Sequence, residues 1–349
     1  MTLRIAITAD PEIPVPPQQY GGIERIVDLL ARGLSNRGHE VTLFAHADST
    51  TPVQRVSWTG KTSGSVLSTV RNARTLAAAY AAGGFDVIHS FSRLAYLTPI
   101  LPLRIAKVMS YQRKISPHTV RLAMGLAARG TLRLVACSQQ MIPRDLPCNA
   151  WSVVYNAVSL DAYRFRSTVP PDAPLVFLGR LEEIKGPHLA IQIARQSGRS
   201  LVLAGNIPSG HQSFFEKEIR PHLDDKFVRY IGPVNDAQKN ELLGCAAALL
   251  MPILWDEPFG IVMAEAFACG TPVVAFLRGA APEVVDHGVT GFLGRNLPEL
   301  IDGVDRIGII DRRSCRAVAE ARFGAETMIS NYLECYDATM FSDRYRCAS

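Results

Sequence analysis

Several features that define other protein classes are absent from this sequence of 349 residues. No uninterrupted apolar run reaches the roughly 18 residues of a membrane span, and no CxxC pair or His/Cys cluster has metal-ligand spacing. The N-terminal apolar run is too short for a signal peptide and no small-residue cleavage site follows it. The seven cysteines are scattered, which is typical of small core residues in a reducing compartment. These absences predict a cytoplasmic globular protein.

Acidic residues are missing from one long segment. Residues 87–144 contain no Asp or Glu but nine basic residues, so an anionic lipid, a phosphate or an acidic acceptor would suit this part of the chain. A solvated basic face without a specific partner is the open alternative. Nucleic acid is disfavoured because the few aromatic residues do not alternate with the charges as a stacking platform requires. The basic residues are Arg93, Arg104, Lys107, Arg113, Lys114, Arg121, Arg129, Arg133 and Arg144.

Short β-rich runs alternate with helical stretches along almost the whole chain. The predicted strands are LRIAITA, EVTLFA, FDVIHS, AKVMS and RLVACS in the first half and APLVFLG, SLVLAG, VRYIG, AALLMP, TPVVAF and GFLG in the second. Helices are predicted over 23–36, 65–82 and 118–129 and near 187–196, 212–223, 236–244 and 260–268. This alternation predicts an α/β protein with parallel sheets that carry helices on both faces. Three prolines within residues 170–174 mark the passage into a fresh strand, and we place a domain boundary near residue 152. Two doubly wound domains facing across a cleft would offer a ligand site at the carboxyl ends of both sheets. The last segment is predicted to be a helix with apolar residues on one side.

Glycines and cations follow predicted strands at positions that suit an anion. Gly21 and Gly22 precede the first helix, whose N-terminal amides could approach a phosphate, although an ordinary turn is the commoner explanation. The first loop lacks the GxGxxG fingerprint, which disfavours an NAD dehydrogenase. Arg180 follows a strand and Lys185 precedes a helix, so both should lie at the carboxyl end of the second sheet. They suit a diphosphate, and ion pairs with neighbouring glutamates would explain them equally well.

The stretch WDEPFGIVMAEAFACGTPVV, residues 255–274, contains an isolated acid. Glu265 is the only charged residue over positions 259–270, in a segment that otherwise predicts an apolar helix running into an apolar strand. A carboxylate buried there without partners would cost roughly several kcal/mol or take up a proton, so we expect a ligand to approach it. The alternative is a structural acid that backbone groups or a buried arginine satisfy.

A second glutamate, Glu257, lies eight residues earlier and directly before a proline. Pro258 keeps Glu257 extended and lets the helix begin near Gly260, which leaves the first amides of the helix free. Amides and cations can hold phosphates, while carboxylates can accept hydrogen bonds from sugar hydroxyls. This division predicts a nucleotide sugar, with Glu265 at the ribose diol and Glu257 at the donor hexose. The donor-binding candidates of this segment are Phe259, Gly260, Ile261 and Val262.

Five motifs in order along the chain resemble the retaining GT-B glycosyltransferases of family 4: GGIE, GRLEEIKG, EPFGIVMAE, ACGTPVVAF and PEVVDHGVTGFL. The resemblance implies the GT-B architecture, two doubly wound Rossmann-like domains facing across a cleft. Residues 1–151 would bind the acceptor, residues 152–327 would bind a UDP-, GDP- or ADP-sugar, and a C-terminal helix at about 328–349 would pack back onto the first domain. It also implies hexosyl transfer to a hydroxyl with retention of configuration.

The sequence departs from this family at one loop. Many members carry a histidine there, in a motif like LHG, but this chain has Tyr111, Gln112 and Arg113. His89, at the end of a predicted strand, is the nearest alternative catalytic residue, although a lone histidine at a strand end is commonly structural. In the family's usual mechanism the leaving phosphate takes the acceptor proton, so a missing base need not abolish activity.

Two other functions stay open on the sequence. A nucleotide-sugar epimerase on the same scaffold would turn over donor without an acceptor, and a two-lobed sugar-binding protein should have a signal peptide. We expect no cofactor and no metal, because the sequence has no Asp-x-Asp and Arg180, Lys185 and helix amides could neutralise a diphosphate. A lipid-linked or otherwise anionic acceptor, and a peripheral membrane contact, would fit the basic 93–144 region.

Overall fold

The computed structural model describes residues 1–17 and 21–341 of the chain, which form two compact units. Unit 1 comprises Met1–Asn156 and Ala325–Ser349, and unit 2 comprises Ala157–Gly324. The last part of the predicted C-terminal helix, residues 342–349, lies outside the described residues.

Unit 1 is built on a parallel sheet of seven strands. The strands are β1 (Arg4–Thr8), β2 (Glu40–Ala45), β3 (Gln54–Ser57), β4 (Val87–Ser90), β5 (Ala106–Tyr111), β6 (Leu132–Ala136) and β7 (Trp151–Val153). Their order is β3-β2-β1-β4-β5-β6-β7, and every neighbouring pair is parallel. The central strands are near-continuous apolar runs because helices cover both faces of the sheet. The short edge strands β3 and β7 were not predicted, since neither is a distinct apolar run.

Three helices of unit 1 follow strands of this sheet: α1 (Gly22–Asn36), α2 (Val66–Gly83) and α3 (Pro117–Leu126). A 3-10 helix over Leu94–Ile100 follows β4. Helix α1 buries an apolar stripe at helical spacing, and α2 begins where Ser65 accepts a hydrogen bond from the Ser68 amide. Helix α3 has its proline in the first turn, where the missing N–H costs nothing. The predicted helices over 23–36, 65–82 and 118–129 are confirmed within a few residues.

Unit 2 contains a parallel sheet of six strands, all of which the sequence predicted. The strands are β8 (Leu175–Leu178), β9 (Leu201–Ala204), β10 (Val228–Tyr230), β11 (Ala248–Met251), β12 (Val273–Phe276) and β13 (Gly291–Gly294). Their order is β10-β9-β8-β11-β12-β13. The chain order reverses beside β8, so the carboxyl ends of β8 and β11 lie next to each other. Ligands bind at such a reversal in doubly wound sheets.

The helices of unit 2 lie between and after these strands. They are α4 (Pro187–Gln196), α5 (Gln212–Phe214), α6 (Asp236–Gly244), α7 (Ile261–Ala268), α8 (Ala281–Val284), α9 (Leu297–Asp305) and α10 (Arg312–Arg322). A π-helical turn over Phe215–Ile219 continues α5. Helix α6 begins with a reciprocal capping box between Asn235 and Gln238. The sequence prediction missed α8, α9 and α10.

The chain returns to unit 1 through α11 (Ala325–Met340). This helix buries Met328, Ile329 and Tyr336, and a side chain at Gly33 of α1 would collide with Ile329. A C-terminal helix that packs against the first sheet agrees with the expectation from the family resemblance. The predicted boundary near residue 152 falls inside β7, which pairs with β6, and the structure divides the chain after Asn156 instead. Across residues 1–17 and 21–341, no helix is long and apolar enough to cross a membrane.

Candidate active site

Two loops meet at the carboxyl ends of the adjacent strands β8 and β11. Lys185, in the loop after β8, forms an ion pair with Glu257, in the loop after β11. The backbone joins the same two loops, because the Leu254 amide donates to the Ile184 carbonyl at 2.8 Å. The structure therefore brings together two site residues that the sequence placed 72 positions apart.

Glu257 is held in place by several contacts. Both Lys185 Nζ and Trp255 Nε1 donate to its Oε2, the indole at 2.9 Å, and the ammonium lies 5.2 Å from the centroid of the indole ring. Gly279 has φ 56°, and a side chain there would collide with the Glu257 backbone, whose carbonyl accepts from the Ala280 amide at 2.9 Å. The Glu257 side chain stays 19% exposed, so a ligand can reach it.

The second cation, Arg180, has an acidic partner of its own. Its Nη2 lies 2.7 Å from Oε1 of Glu182, a side chain that is 6% exposed, and His211 Nε2 lies 3.7 Å from the other oxygen. This is one of the ion pairs that the sequence allowed as an alternative to phosphate binding. Lys185 differs, because it pairs with Glu257 across the two strands rather than with a neighbouring glutamate.

The N-terminus of α7 presents free backbone donors beside this cluster. Gly260 caps the helix with φ 74° and ψ 66°, a left-handed conformation that glycine adopts without strain. Within the described residues, the amides of Gly260, Ile261 and Val262 donate to no acceptor. These are the orphan donors expected at a helix start. The Phe259 side chain is buried, with its ring 5.6 Å from that of Phe323, so it anchors the loop from the core side.

Glu265 on α7 is 5% exposed, as the sequence predicted, but its partners are protein groups. Its Oε1 accepts hydrogen bonds from Lys239 Nζ at 2.5 Å and from the Tyr163 hydroxyl at 2.8 Å. The sequence argument assumed that this carboxylate has no partner in the protein. That assumption is wrong, because Lys239 on α6 supplies the opposite charge. No hydrogen bond from the described residues reaches Oε2.

Sequence reasoning missed both partners of Glu265. Lys239 belongs to DAQKNELLG, a helix in which polar residues surround the lysine in sequence, so nothing in the local pattern marks it as buried. Tyr163 precedes the second sheet by a dozen residues and has no motif around it. Only the packing of α6 and of this segment against α7 brings them to Glu265.

Only the first glycine of the pair in unit 1 has a steric explanation. Gly21 precedes α1, and a Cβ there would lie 2.6 Å from Cβ of Pro17 and 2.9 Å from Oε2 of Glu24. Gly22 has open space around it. The buried carboxyl of Glu24 lies in the first turn of α1, where burial raises its pKa. A carboxylate thus already occupies the neighbourhood in which the sequence predicted a donor phosphate.

His89 lies in the core of unit 1. It is fully buried on β4, with Nδ1 2.7 Å from the Tyr336 hydroxyl and Nε2 2.8 Å from Oγ of Ser110. Burial lowers the pKa of His89 to about 3, so the imidazole is neutral. A neutral ring with both nitrogens engaged does not reach a substrate. The structure contradicts the catalytic assignment of His89 and gives it a structural role.

The basic segment is less positive at the surface than its composition suggests. Lys107 is buried in β5, donates to the carbonyls of Leu103 at 2.6 Å and Ile105 at 3.0 Å, and has its pKa lowered by burial to about 8. Arg113 and Arg121 form ion pairs with acids outside the segment. The sequence could not anticipate these pairings, because the two aspartates lie on either side of the acid-free stretch.

Two family models match consecutive parts of the chain. Residues 20–162 match the model described as Glycosyltransferase Family 4, and residues 161–307 match Glycosyl transferases group 1. The chain belongs to the group 1 glycosyltransferases. The two sheets and their helices form the two-domain α/β GT-B fold of this family.

Similar proteins agree with this family. The glycosyltransferase is 23% identical to the putative glycosyltransferase YtcC of Bacillus subtilis over 330 residues, 83% of this chain and 79% of the relative. AviGT4, a glycosyltransferase of avilamycin A biosynthesis, is 26% identical with a TM-score of 0.75, covering 97% of this chain and 98% of that one. The Anabaena protein HepE, solved with UDP-glucose, is 22% identical with a TM-score of 0.73, covering 96% and 100%.

Proposed function

We propose that this glycosyltransferase transfers a hexosyl unit from a nucleoside diphosphate sugar to a hydroxyl acceptor, with retention of configuration and without a metal ion. The observation that carries the proposal is the meeting of Lys185, Glu257 and the free α7 amides at the carboxyl ends of β8 and β11. HepE was solved with UDP-glucose, which makes that compound the first donor to test.

The diphosphate of the donor would bind to Arg180, Lys185 and the α7 amides. Both cations already form ion pairs with carboxylates, so the diphosphate would bind to charges that are partly neutralised. Lys185 carries three donor hydrogens, so it can bind a phosphate oxygen and keep its contact with Glu257. These groups would also stabilise the charge that develops on the leaving diphosphate as the glycosidic bond breaks.

The two glutamates would bind the two sugars of the donor through oxygens that the protein leaves open. Both contacts of Glu257 use Oε2, so Oε1 can accept a hydrogen bond from a hexose hydroxyl. Both contacts of Glu265 use Oε1, so the ribose hydroxyls would bind at Oε2. Their protein partners orient the carboxylates before the donor arrives, which lowers the cost of binding.

No protein base is assigned to the acceptor proton. The imidazole of His89 is buried and engaged on both sides, so it cannot serve. In the mechanism that the family resemblance implies, the departing phosphate takes this proton. The residues of this chain then act by binding, orientation and charge stabilisation rather than by proton transfer.

The test replaces each glutamate by glutamine and measures two quantities. Glu265→Gln should weaken the binding of both UDP and UDP-sugar, whereas Glu257→Gln should leave UDP affinity nearly unchanged and slow single-turnover transfer. A lost charge-assisted hydrogen bond typically costs about 1.5–3 kcal/mol, or roughly tenfold to 150-fold. Glu183→Gln, an exposed acid two residues before Lys185, is the matched control and should change neither quantity.

Two outcomes would contradict the proposal. If both variants bind UDP and transfer sugar like the wild type, the glutamates are structural. If the enzyme consumes the donor and forms a second nucleotide sugar without any acceptor, the epimerase alternative holds. Product NMR on the anomeric proton decides between retention and inversion.

A further inference from the structure

Unit 1 contains a cavity at the carboxyl end of its own sheet. The cavity has a volume of about 530 Å³, within the range of about 300–1,000 Å³ that is usual for small-molecule sites. It is lined by residues that follow β1 and β4, by the end of β5 and by α3. No residue assigned to the donor takes part in it.

Two buried polar atoms of the lining residues have no hydrogen-bond partner among the residues that the structure describes. They are Oδ1 of Asp10, on a residue that is 6% exposed, and the hydroxyl of Tyr111, on a residue that is 8% exposed. An unsatisfied buried polar group typically costs about 1–3 kcal/mol, so such atoms in a cavity wall point to a ligand. Oδ2 of Asp10 is held by Arg113 Nη2 at 2.6 Å, which fixes the carboxyl group. A ligand hydroxyl could donate to Oδ1.

Most of the remaining wall is apolar. Leu101 and Met109 are buried, whereas Leu122 and Leu126 on α3 are 55% and 54% exposed. Leucines exposed to this degree beside a cavity offer a surface for a chain or a ring. The wall therefore combines hydrogen-bonding groups, on Asp10 and Tyr111, with an apolar surface.

Charge adds a third feature. Arg93 and Lys114 line the cavity, are exposed, and form no ion pair with any residue in the described part of the chain. Among the described lining residues Asp10 is the only carboxylate, and it is already paired with Arg113. An anionic group would thus find two cations at this wall that no carboxylate of the described residues binds directly.

We propose that this cavity is the acceptor site and that it takes an amphiphile with an apolar chain or ring, a hydroxyl bound by Asp10 and Tyr111, and an anionic group held by Arg93 and Lys114. The assignment as acceptor site rests on the proposed glycosyl transfer. The binding of such an amphiphile by unit 1 can be measured without any transfer.

The probe is octanoyl lysophosphatidic acid, which has an acyl chain, a free hydroxyl and a phosphate. Monooctanoylglycerol lacks its phosphate, and glycerol 3-phosphate lacks its chain. Calorimetric titration of the full chain, with each compound below its micelle concentration, should give at least tenfold tighter binding for the complete probe than for either fragment. A parallel arm presents the probe in phosphatidylcholine vesicles, so that uptake from solution and uptake from a bilayer are distinguished; binding in either arm supports the proposal.

Tyr111→Phe is the most informative variant. Its hydroxyl has no partner among the described residues, so its removal should leave the thermal unfolding temperature unchanged or raised while weakening probe binding several-fold. Tyr96→Phe is the matched control, because the Tyr96 hydroxyl accepts from Asn72 and Tyr96 does not line the cavity. That control should lower stability and leave probe binding unchanged.

Three further pairs test the other contacts. Asp10→Asn should weaken binding about tenfold, more than Arg113→Gln, because Arg113 also lines the cavity but binds Oδ2 of Asp10 rather than the oxygen offered to the ligand. Lys114→Gln should weaken binding and Arg129→Gln should not, because Arg129 belongs to the same basic segment but not to the cavity wall. Leu126→Gln is compared in the same way with Leu103→Gln, since Leu103 is exposed but does not line the cavity.

UDP titration of each variant separates this inference from the proposed function. If UDP binds and the complete probe binds no better than its fragments in both arms, the acceptor inference is wrong and the transferase proposal stands. If the probe binds as predicted and UDP does not bind, the cavity assignment stands and the donor site is wrong. Equal binding by Tyr111→Phe and the wild type would overturn the role of the orphan hydroxyl.

Discussion

The carboxylates at the carboxyl ends of the two sheets are held alike, by a cation on one oxygen, but the polar groups around them differ. In unit 2, Lys185 pairs with Glu257 and Lys239 pairs with Glu265, so both glutamates of the candidate donor site have protein partners. In unit 1, Asp10 pairs with Arg113, but among the described residues its Oδ1 and the hydroxyl of Tyr111 are buried at a cavity without a hydrogen-bond partner. The two ends have the same sheet topology but different electrostatic organisation.

This difference indicates how each end would meet its ligand. A highly charged diphosphate binds best to a site whose dipoles and charges are fixed in advance, and ion pairs fix them. A less charged ligand gains more from hydrogen-bonding atoms that nothing else satisfies, because its hydroxyls relieve their desolvation penalty. Each of the following predictions tests one side of this contrast.

The largest effect is expected where the pairing in unit 2 is broken. Lys239→Met leaves the buried carboxylate of Glu265 without its cation, and breaking a buried pair from one side typically costs about 3–5 kcal/mol. Urea unfolding should show this loss, and Lys217→Met, at an exposed lysine, should not. The double variant Lys239→Met/Glu265→Gln should recover much of the stability, because no charge is left unpaired. Unchanged stability of the single variant would mean that the ion pair between Lys239 and Glu265 does not stabilise unit 2.

A smaller effect is expected at the cation that bridges the two loops. Lys185→Met should weaken UDP binding by about 1.5–3 kcal/mol, or roughly tenfold to 150-fold, because a charge-assisted contact to phosphate is lost. Uridine, which has no phosphate, should bind both proteins equally. Lys226→Met, at an exposed lysine, is the control. If uridine binding falls as much as UDP binding, Lys185 supports the loop and does not bind phosphate.

The sequence predicted the elements of the fold well because their patterns are local. The apolar runs of β1 and of the six strands of unit 2, and the helix start at Gly260, follow from residues close together in the chain. The ion pairs do not follow from such patterns. Lys239 reaches Glu265 only because α6 packs beside α7, and His89 becomes inaccessible only because α11 returns over β4 and β5. Long-range packing decides which charged groups are free, and one sequence does not encode this in any short window.

His89 also gives unit 1 a pH dependence. The pKa of His89 is about 3 in the folded state and 6.5 when the chain unfolds. Between these two pH values the unfolded state therefore binds a proton at His89 and the folded state does not. Stability should therefore fall as pH drops from 6.5 towards 3, by at most about 1.4 kcal/mol per pH unit from this group. Urea unfolding of the wild type at pH 7 and pH 5 measures the slope. His89→Gln should reduce it, and His118→Gln, at an exposed histidine, should not; an equal slope in all three would exclude His89 as the cause.

The smallest effect, an expected null result, concerns metal ions at the donor site. Among the described residues, no group of three or more His, Cys, Asp or Glu side chains could hold a metal, and the acids nearest the candidate phosphate site are paired with Arg180 and Lys185. Two cations and three amides offer the charge and the donors that a diphosphate needs. Initial rates with UDP-glucose and an active acceptor should therefore be the same in EDTA and in magnesium or manganese. A loss of activity in EDTA that either metal restores would mean that these groups do not neutralise the leaving group. A bound metal ion would then be the largest charge at the donor site, and the comparison of the two sheets would have to include it.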